Sequence, residues 1–251
     1  MTLSPQKPLV RYPQEPFVRA RRALLSAPME ETRTCSPPVH EAESRGTRRA
    51  GTAIIVTMGK VHERIDGRLR EFIEAQPVFF TATAPLAGDG TVNLSPKGLR
   101  GSLAVVDELT VAYLDFAGSN AETVAHLREN GRITLMWCAF QGPPNIVRVH
   151  GRGEPVFRDD PRWGELVAHF RDIDPSVHGL RAIILVRAEL IRDTCGYAVP
   201  FMVYEADRDL HGKRFAREDD ASLSAYFEKK EHIATSIDGL PGLPLPCRRR
   251  R

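Results

Sequence analysis

Apolar side chains between residues 61 and 75 recur at helical spacing, with Ile65, Leu69, Phe72 and Ile73 on one face. This predicts a first helix over 61–75, ended by Pro77. The period then shortens. Val78-Phe-Phe-Thr-Ala-Thr-Ala84 is β-branched and aromatic, as a strand should be, and Gly88-Asp-Gly90 turns it back into a second strand over 91–95. Residues 103–106 and 110–116 form the next predicted hairpin, around Asp107-Glu108. A helix over 121–129 follows, with Val124 and Leu127 on its inner side and Asn130-Gly131 as its stop. Strands are then expected over 132–140 and 146–157, and a helix from Pro161 to Phe170. A nearly continuous apolar strand comes next over 181–192, with one more over 197–204.

Six or more short strands joined mostly by tight turns give an α+β chain built on an antiparallel sheet. A sheet of that kind usually closes into a barrel or sandwich, which removes exposed edges. The strand–helix–strand alternation of a doubly wound fold is missing. Three segments result: a tail over 1–57, a folded domain over 58–205, and an extension over 206–251. The extension holds one predicted helix, Leu223–Ile233, and ends in four arginines.

Composition changes this picture only at the ends. The hydrophobic share of 42% and charged share of 27% are ordinary for a globular domain. Residues 1–57 hold seven of the nineteen prolines and show no sustained apolar period, which is the signature of a disordered tail. Met58 opens the folded pattern, so translation is expected to start there. The formal charge of +3 comes from +4 in residues 1–57 and +4 in the last four residues, which leaves −5 for 58–247. The basic balance therefore belongs to the tails and is no nucleic-acid footprint. No run of about eighteen apolar residues is present to span a membrane, and a cytoplasmic location is expected. Cys35, Cys138, Cys195 and Cys247 form no C-x-x-C pair, and no histidines stand at metal spacing, so no metal site is expected.

Candidate chemistry gathers between Val92 and Gly153. Ser95, Lys97, Gly98 and Arg100 follow a strand: Lys97 can neutralise a phosphate, and Gly98 lets the backbone approach a ligand. A Pro-Lys-Gly turn is also an ordinary solvated loop. Gly118-Ser-Asn-Ala-Glu-Thr123 enters a helix whose N-terminus favours an anion, with Ser119, Asn120 and Thr123 as polar side chains beside it. The competing reading is a capping box between Ser119 and Glu122. Arg148, His150 and Arg152 alternate along one strand and so share a face, either solvated or lining an anionic ligand. Tyr197 and His150 are the candidate acid–base groups, and no nucleophile-elbow motif is present.

In their order, three pieces resemble the pyridoxamine 5'-phosphate oxidase-like superfamily, the FMN-binding split β-barrels, over about residues 60–205. They are the strands at Phe79–Ala84 and Thr91–Lys97, Leu127-Arg-Glu-Asn130 before strand Ile133–Phe140, and Val147-Arg-Val-His-Gly151. Ser95-Pro-Lys-Gly98, Gly142-Pro-Pro144 and Cys195-Gly-Tyr-Ala-Val-Pro200 are similar to a bacterial subgroup of that family. The resemblance implies an antiparallel split β-barrel with flanking helices, and a homodimer with FMN at the interface. The phosphate is expected near 117–123 and the ring near 95–102. Partner residues from 137–150, Trp137 and Arg148 among them, complete the site.

The departures are specific. Ala121-Glu-Thr123 stands where the oxidases carry Ser-Arg-Lys, so two phosphate-gripping cations are absent, and Ile146 replaces a flavin-contacting Gln. The C-terminal substrate motif of the vitamin-processing oxidases is missing too, which points away from their reaction. Lys97, Arg100 or Arg148 must then supply the lost charge. The expectation is an FMN-dependent oxidoreductase acting on a small molecule, with a deazaflavin-dependent reductase or a non-catalytic flavin or haem binder as alternatives.

Overall fold

The structure is a computed structural model, described here for residues 59–118, 121–174, 179–210 and 233–243 together with residues 213, 222 and 225. In chain order its elements are β1 (Lys60–His62), α1 (Gly67–Ala75), β2 (Phe79–Thr83), β3 (Asn93–Lys97), β4 (Leu103–Asp107) and β5 (Thr110–Phe116). They continue with α2 (Glu122–Asn130), β6 (Arg132–Cys138), β7 (Ile146–Phe157), α3 (Trp163–Val167) and β8 (Leu180–Thr194). The described residues lie in one unit, Ile54–Arg251.

All eight strands form one antiparallel sheet in the order β3-β2-β6-β7-β8-β5-β4, and β1 joins β8. At fifteen residues β8 is the spine. It pairs with β7 along most of its length, while its other edge meets β5 over the first half and β1 over the last turns of the ladder. Phe79 on β2 and Tyr113 on β5 are separated by three intervening strands, yet their rings meet at 5.3 Å. The sheet must therefore roll up. It encloses a core containing Phe79, Tyr113, Leu135, Trp137, Val147 and Ile184, to which α1 adds Leu69 and Ile73 and α2 adds Val124 and Leu127. A second, smaller core lies around Leu114, Val156, Leu166 and Ile183, which includes residues of α3. This is the expected α+β split barrel with flanking helices.

Gly151 explains how β7 and β8 cross so closely. A Cβ there would sit 2.0 Å from the Arg187 carbonyl oxygen, at a register shift between His150 and Gly151. Only glycine fits that approach.

Several element boundaries depart from the sequence pattern. The first helix begins at Gly67 rather than 61, because Asp66 caps it by accepting the Leu69 N–H at 2.8 Å. Residues 60–62 are strand instead, paired with Ile191–Asp193. The helix expected over 161–170 shortens to Trp163–Val167. Residues 197–204 form no strand; the chain there is held to 140–141 by the Met202 N–H on the Phe140 carbonyl and by the Gln141 amide on the Met202 carbonyl. Except for residues 225 and 233, the helix expected over 223–233 lies outside the described residues, as does the 1–57 tail. Among the described residues no helix is long and apolar enough to cross a membrane.

Candidate functional site

Strand β3 carries the site because its alternation is polar inward. Leu94 and Pro96 are exposed, while Asn93, Ser95 and Lys97 turn toward the barrel interior and are half-buried. Across the hairpin these three oppose Thr83, Thr81 and Phe79. A hydrogen-bond chain runs from Ser95 Oγ to Asn93 Oδ1 at 2.9 Å. From Asn93 Nδ2 it continues to the Thr83 and Thr123 hydroxyls at 3.0 and 3.1 Å, and from Thr83 to His126 Nδ1 at 3.0 Å. Burial pushes the His126 pKa below the usual histidine value. The chain ties α2 to the hairpin, and in this arrangement the Thr123 hydroxyl accepts from Asn93.

Next to it lies a buried charge cluster. The Asp115 carboxylate has no solvent exposure; Arg181 contacts its Oδ2 through Nε at 3.0 Å and Nη2 at 2.8 Å, and Lys97 Nζ lies 3.3 Å from Oδ1. Lys97 also stands 5.9 Å from the Tyr113 ring centroid. Burial first, and then the Asp115 charge, drive the Tyr113 phenol far above its ordinary pKa, so it stays protonated. The Thr81 and Tyr113 hydroxyls and the Trp137 indole N–H are buried without a partner at ordinary hydrogen-bond geometry, which is uncommon for native polar groups.

Lys97, Gly98 and Arg100 line one wall of a cleft of about 1260 Å³. Its apolar lining includes Leu114, Phe116, Phe140 and Met202. Segment 202–210 forms the facing wall: the Arg100 guanidinium lies 4.0 Å over the Tyr204 ring, and the Arg100 N–H donates to Asp207 Oδ2 at 3.1 Å. Beneath the 98–101 loop a smaller cavity of about 330 Å³ touches Phe79, Trp137 and Asp172. The loop between them is strained at Leu99, which has φ 72°, while Gly101 takes φ 79° without cost. Such positions persist where surrounding structure overrides the cost, and they cluster at ligand sites.

The helix N-terminus is closed by the chain itself. The N-cap of α2 is Ala121, which makes no side-chain cap; its N–H donates to the Thr235 carbonyl at 3.3 Å. Glu122 accepts from the Ile237 N–H, and Arg128 reaches the Gly242 carbonyl at 2.7 Å. Segment 233–243 is thus a strap across the start of the helix. Ser119 and Asn120, and with them the capping box read from the sequence, lie outside the described residues.

Of the remaining candidates, Trp137 is fully buried and stacks on Phe79 at 5.9 Å, inside the barrel. Arg148 points to the opposite face of the sheet, where Nη1 donates to the Thr194 hydroxyl at 2.9 Å. His150 shares that outer face, bonded to Thr134 at 3.0 Å; burial first, then Arg148 and Arg192, hold its pKa low. Tyr197 is exposed on the surface. The structure therefore groups Ser95, Lys97, Gly98, Arg100 and Thr123 around the hairpin and cleft, with Trp137 below and Arg148 outside. Asp115, Arg181, Leu99 and Tyr204 were not singled out from the sequence. Only Asp115 left a signal there, as the lone charge in an otherwise apolar strand. Among the described residues no group of three or more His, Cys, Asp or Glu could hold a metal.

At about 1260 Å³ the cleft is roomier than the roughly 300–1,000 Å³ of most small-ligand pockets, and Leu114, Phe116 and Phe140 offer an apolar surface beside the ammonium of Lys97.

A family model described as pyridoxamine 5'-phosphate oxidase matches residues 65–195. The pyridoxamine 5'-phosphate oxidase family protein ustO of Aspergillus flavus is 34% identical over 194 residues, 72% of this chain and 77% of that protein. Among solved structures, HupZ of Group A Streptococcus is similar at 19% identity and TM-score 0.39, over 51% of this chain and 91% of that one. An FMN-binding protein of Syntrophomonas wolfei is similar at 16% identity and TM-score 0.37, over 49% of this chain and 80% of that one.

Proposed function

This chain belongs to the pyridoxamine 5'-phosphate oxidase-like superfamily, and from that premise we propose that it is an FMN-dependent oxidoreductase acting on a small molecule. The observation that carries the reading is Lys97 at the wall of the 1260 Å³ cleft, its ammonium held beside an apolar lining. When bound, the flavin supplies the two-electron chemistry, and the protein supplies orientation, charge and exclusion of water. Lys97 holds the phosphate in place of the two cations missing at Glu122-Thr123. Arg100, fixed by stacking on Tyr204, adds positive charge on the same wall. Leu114, Phe116 and Phe140 keep water from the ring. A homodimer completes the site, with Arg148 of the outer face reaching the cleft of the other copy.

The strap over α2 favours one second reading, a deazaflavin-dependent reductase, because it covers the place where a phosphate would otherwise meet the helix N-terminus. An absorption spectrum of the purified protein separates the two. Flavin maxima, or quenching of added FMN fluorescence, support FMN; a colourless protein that ignores FMN and binds a deazaflavin overturns it. Anaerobic bleaching by NAD(P)H then distinguishes an enzyme from a carrier. Lys97→Ala is expected to lose most FMN binding in a fluorescence titration, and full retention refutes the assignment of Lys97.

A further inference from the structure

Asp115 is the penultimate residue of the buried strand β5, with no solvent exposure. A carboxylate in such a place costs several kcal/mol in lost hydration unless it is paired with good geometry. Two cations answer it, and they divide it. Arg181 contacts Oδ2 alone, at 2.8 and 3.0 Å, and Lys97 contacts Oδ1 alone, at 3.3 Å. Taken by themselves, Asp115, Arg181 and Lys97 sum to one positive charge. That charge faces the cleft through Lys97, whose side chain is 23% exposed against 6% for Arg181.

We propose that Asp115 is a positioning residue: its free oxygen holds the Lys97 ammonium at the cleft wall, where it grips the phosphate of the ligand. This rests on the flavin reading of the cleft. A lysine is a compact charge on a flexible four-carbon stem, so left alone it samples many rotamers. Here the carboxylate fixes its end and the Tyr113 ring flanks it. Asp115 thus lowers the entropy that Lys97 must lose when an anion arrives, at the expense of one unit of attraction.

The sign of one substitution separates positioning from plain electrostatics. Asp115→Asn raises the local net charge by one, which on attraction alone tightens an anionic ligand. If the carboxylate's role is to hold Lys97, the same change weakens it, because Lys97 swings free and is repelled by Arg181. The expected result is FMN binding weakened about tenfold, the scale of one charge-assisted hydrogen bond. Riboflavin, which lacks the phosphate, should keep its wild-type affinity in that protein. Lys97→Ala should match this pattern, and the Asp115→Asn/Lys97→Ala double variant should be no weaker than Lys97→Ala alone.

Asp115→Asn leaves Arg181 buried beside a neutral amide and risks misfolding. Asp115→Asn/Arg181→Met removes both buried charges, which protein interiors tolerate, and leaves the net charge at +1. FMN should weaken there too, with riboflavin unchanged. A measurement without flavin completes the test: the acylation rate of Lys97 by an amine-reactive reagent, followed by mass spectrometry, should rise severalfold once Asp115 is replaced. FMN binding as tight as wild type in either variant, or an unchanged acylation rate, overturns the proposal. Wild-type protein that binds neither FMN nor riboflavin sinks the flavin reading instead, while the acylation ratio still decides whether Asp115 holds Lys97.

Discussion

Gly151 and Leu99 are two residues whose backbone positions the surrounding structure constrains. At Gly151 a side chain has no room, since its Cβ would press on the Arg187 carbonyl at 2.0 Å. Gly151→Ala is therefore expected to destabilise the fold by about 3 kcal/mol or more, the upper range for overpacking, read as a lowered urea midpoint with an unchanged slope. Leu99 holds a left-handed conformation that costs a non-glycine residue roughly 1 kcal/mol. Neither constraint can be read along the chain, because each depends on what a distant strand or loop places opposite. Lys97 and Gly98, by contrast, were legible as candidates from their neighbours in Ser95-Pro-Lys-Gly98. What the sequence hid was Asp115 as the partner of Lys97, eighteen residues away on a strand that reads as core.

Helix α2 and the β2–β3 hairpin act together through the Asn93–Thr83–His126 chain. His126 is buried and its pKa is held below the ordinary value of about 6.5. The folded state thus takes up a proton less readily than the unfolded one. The stability that neutral His126 contributes is complete above about pH 6.5 and is lost as pH falls below it. Urea midpoints should drop between about pH 7 and pH 5, and His126→Gln should flatten that drop; an undiminished slope would count against it. The C-terminal strap gives a second test. A chain ending before Ile233 loses the burial of Ile233 and Ala234 and the bonds from Arg128 and Thr91. It should be about 2–3 kcal/mol less stable in a denaturant titration, the worth of one large buried aliphatic side chain. Its FMN affinity should hold, since no residue of the strap lines the Lys97 cleft. Loss of FMN together with the strap would place the phosphate at α2 instead. Most strands were legible from period and turns, whereas the strap was not. Its contacts are with α2 and the hairpin, more than a hundred residues back, and its own sequence shows turn signals at Gly239, Pro241 and Gly242 but nothing that names those partners.

At the scale of the whole molecule the rolled sheet leaves an apolar run, Tyr197, Phe201, Met202 and Val203, exposed next to the cleft. In the proposed homodimer the second copy covers it. Sedimentation equilibrium should give twice the mass of one chain at micromolar concentration, and Phe201→Asp should shift the protein toward monomer. A wild-type monomer under those conditions would remove the shared-site part of the functional reading.

The sequence by itself determined the order of elements from α1 to β8, the antiparallel class, the basic ends and the hairpin that carries Lys97. These follow from local period, turn chemistry and charge, which act between residues a few positions apart. The tertiary structure alone decided which strand β8 meets on each half of its length, and that Phe79 and Tyr113 touch across the roll. It also decided that the start of α2 is covered by the chain's own end, and that Lys97 is held by a buried carboxylate. The physical reason is the same in each case. Burial, close approach and ion pairing are set by neighbours in space, and rolling the sheet brings together groups that no short-range pattern connects.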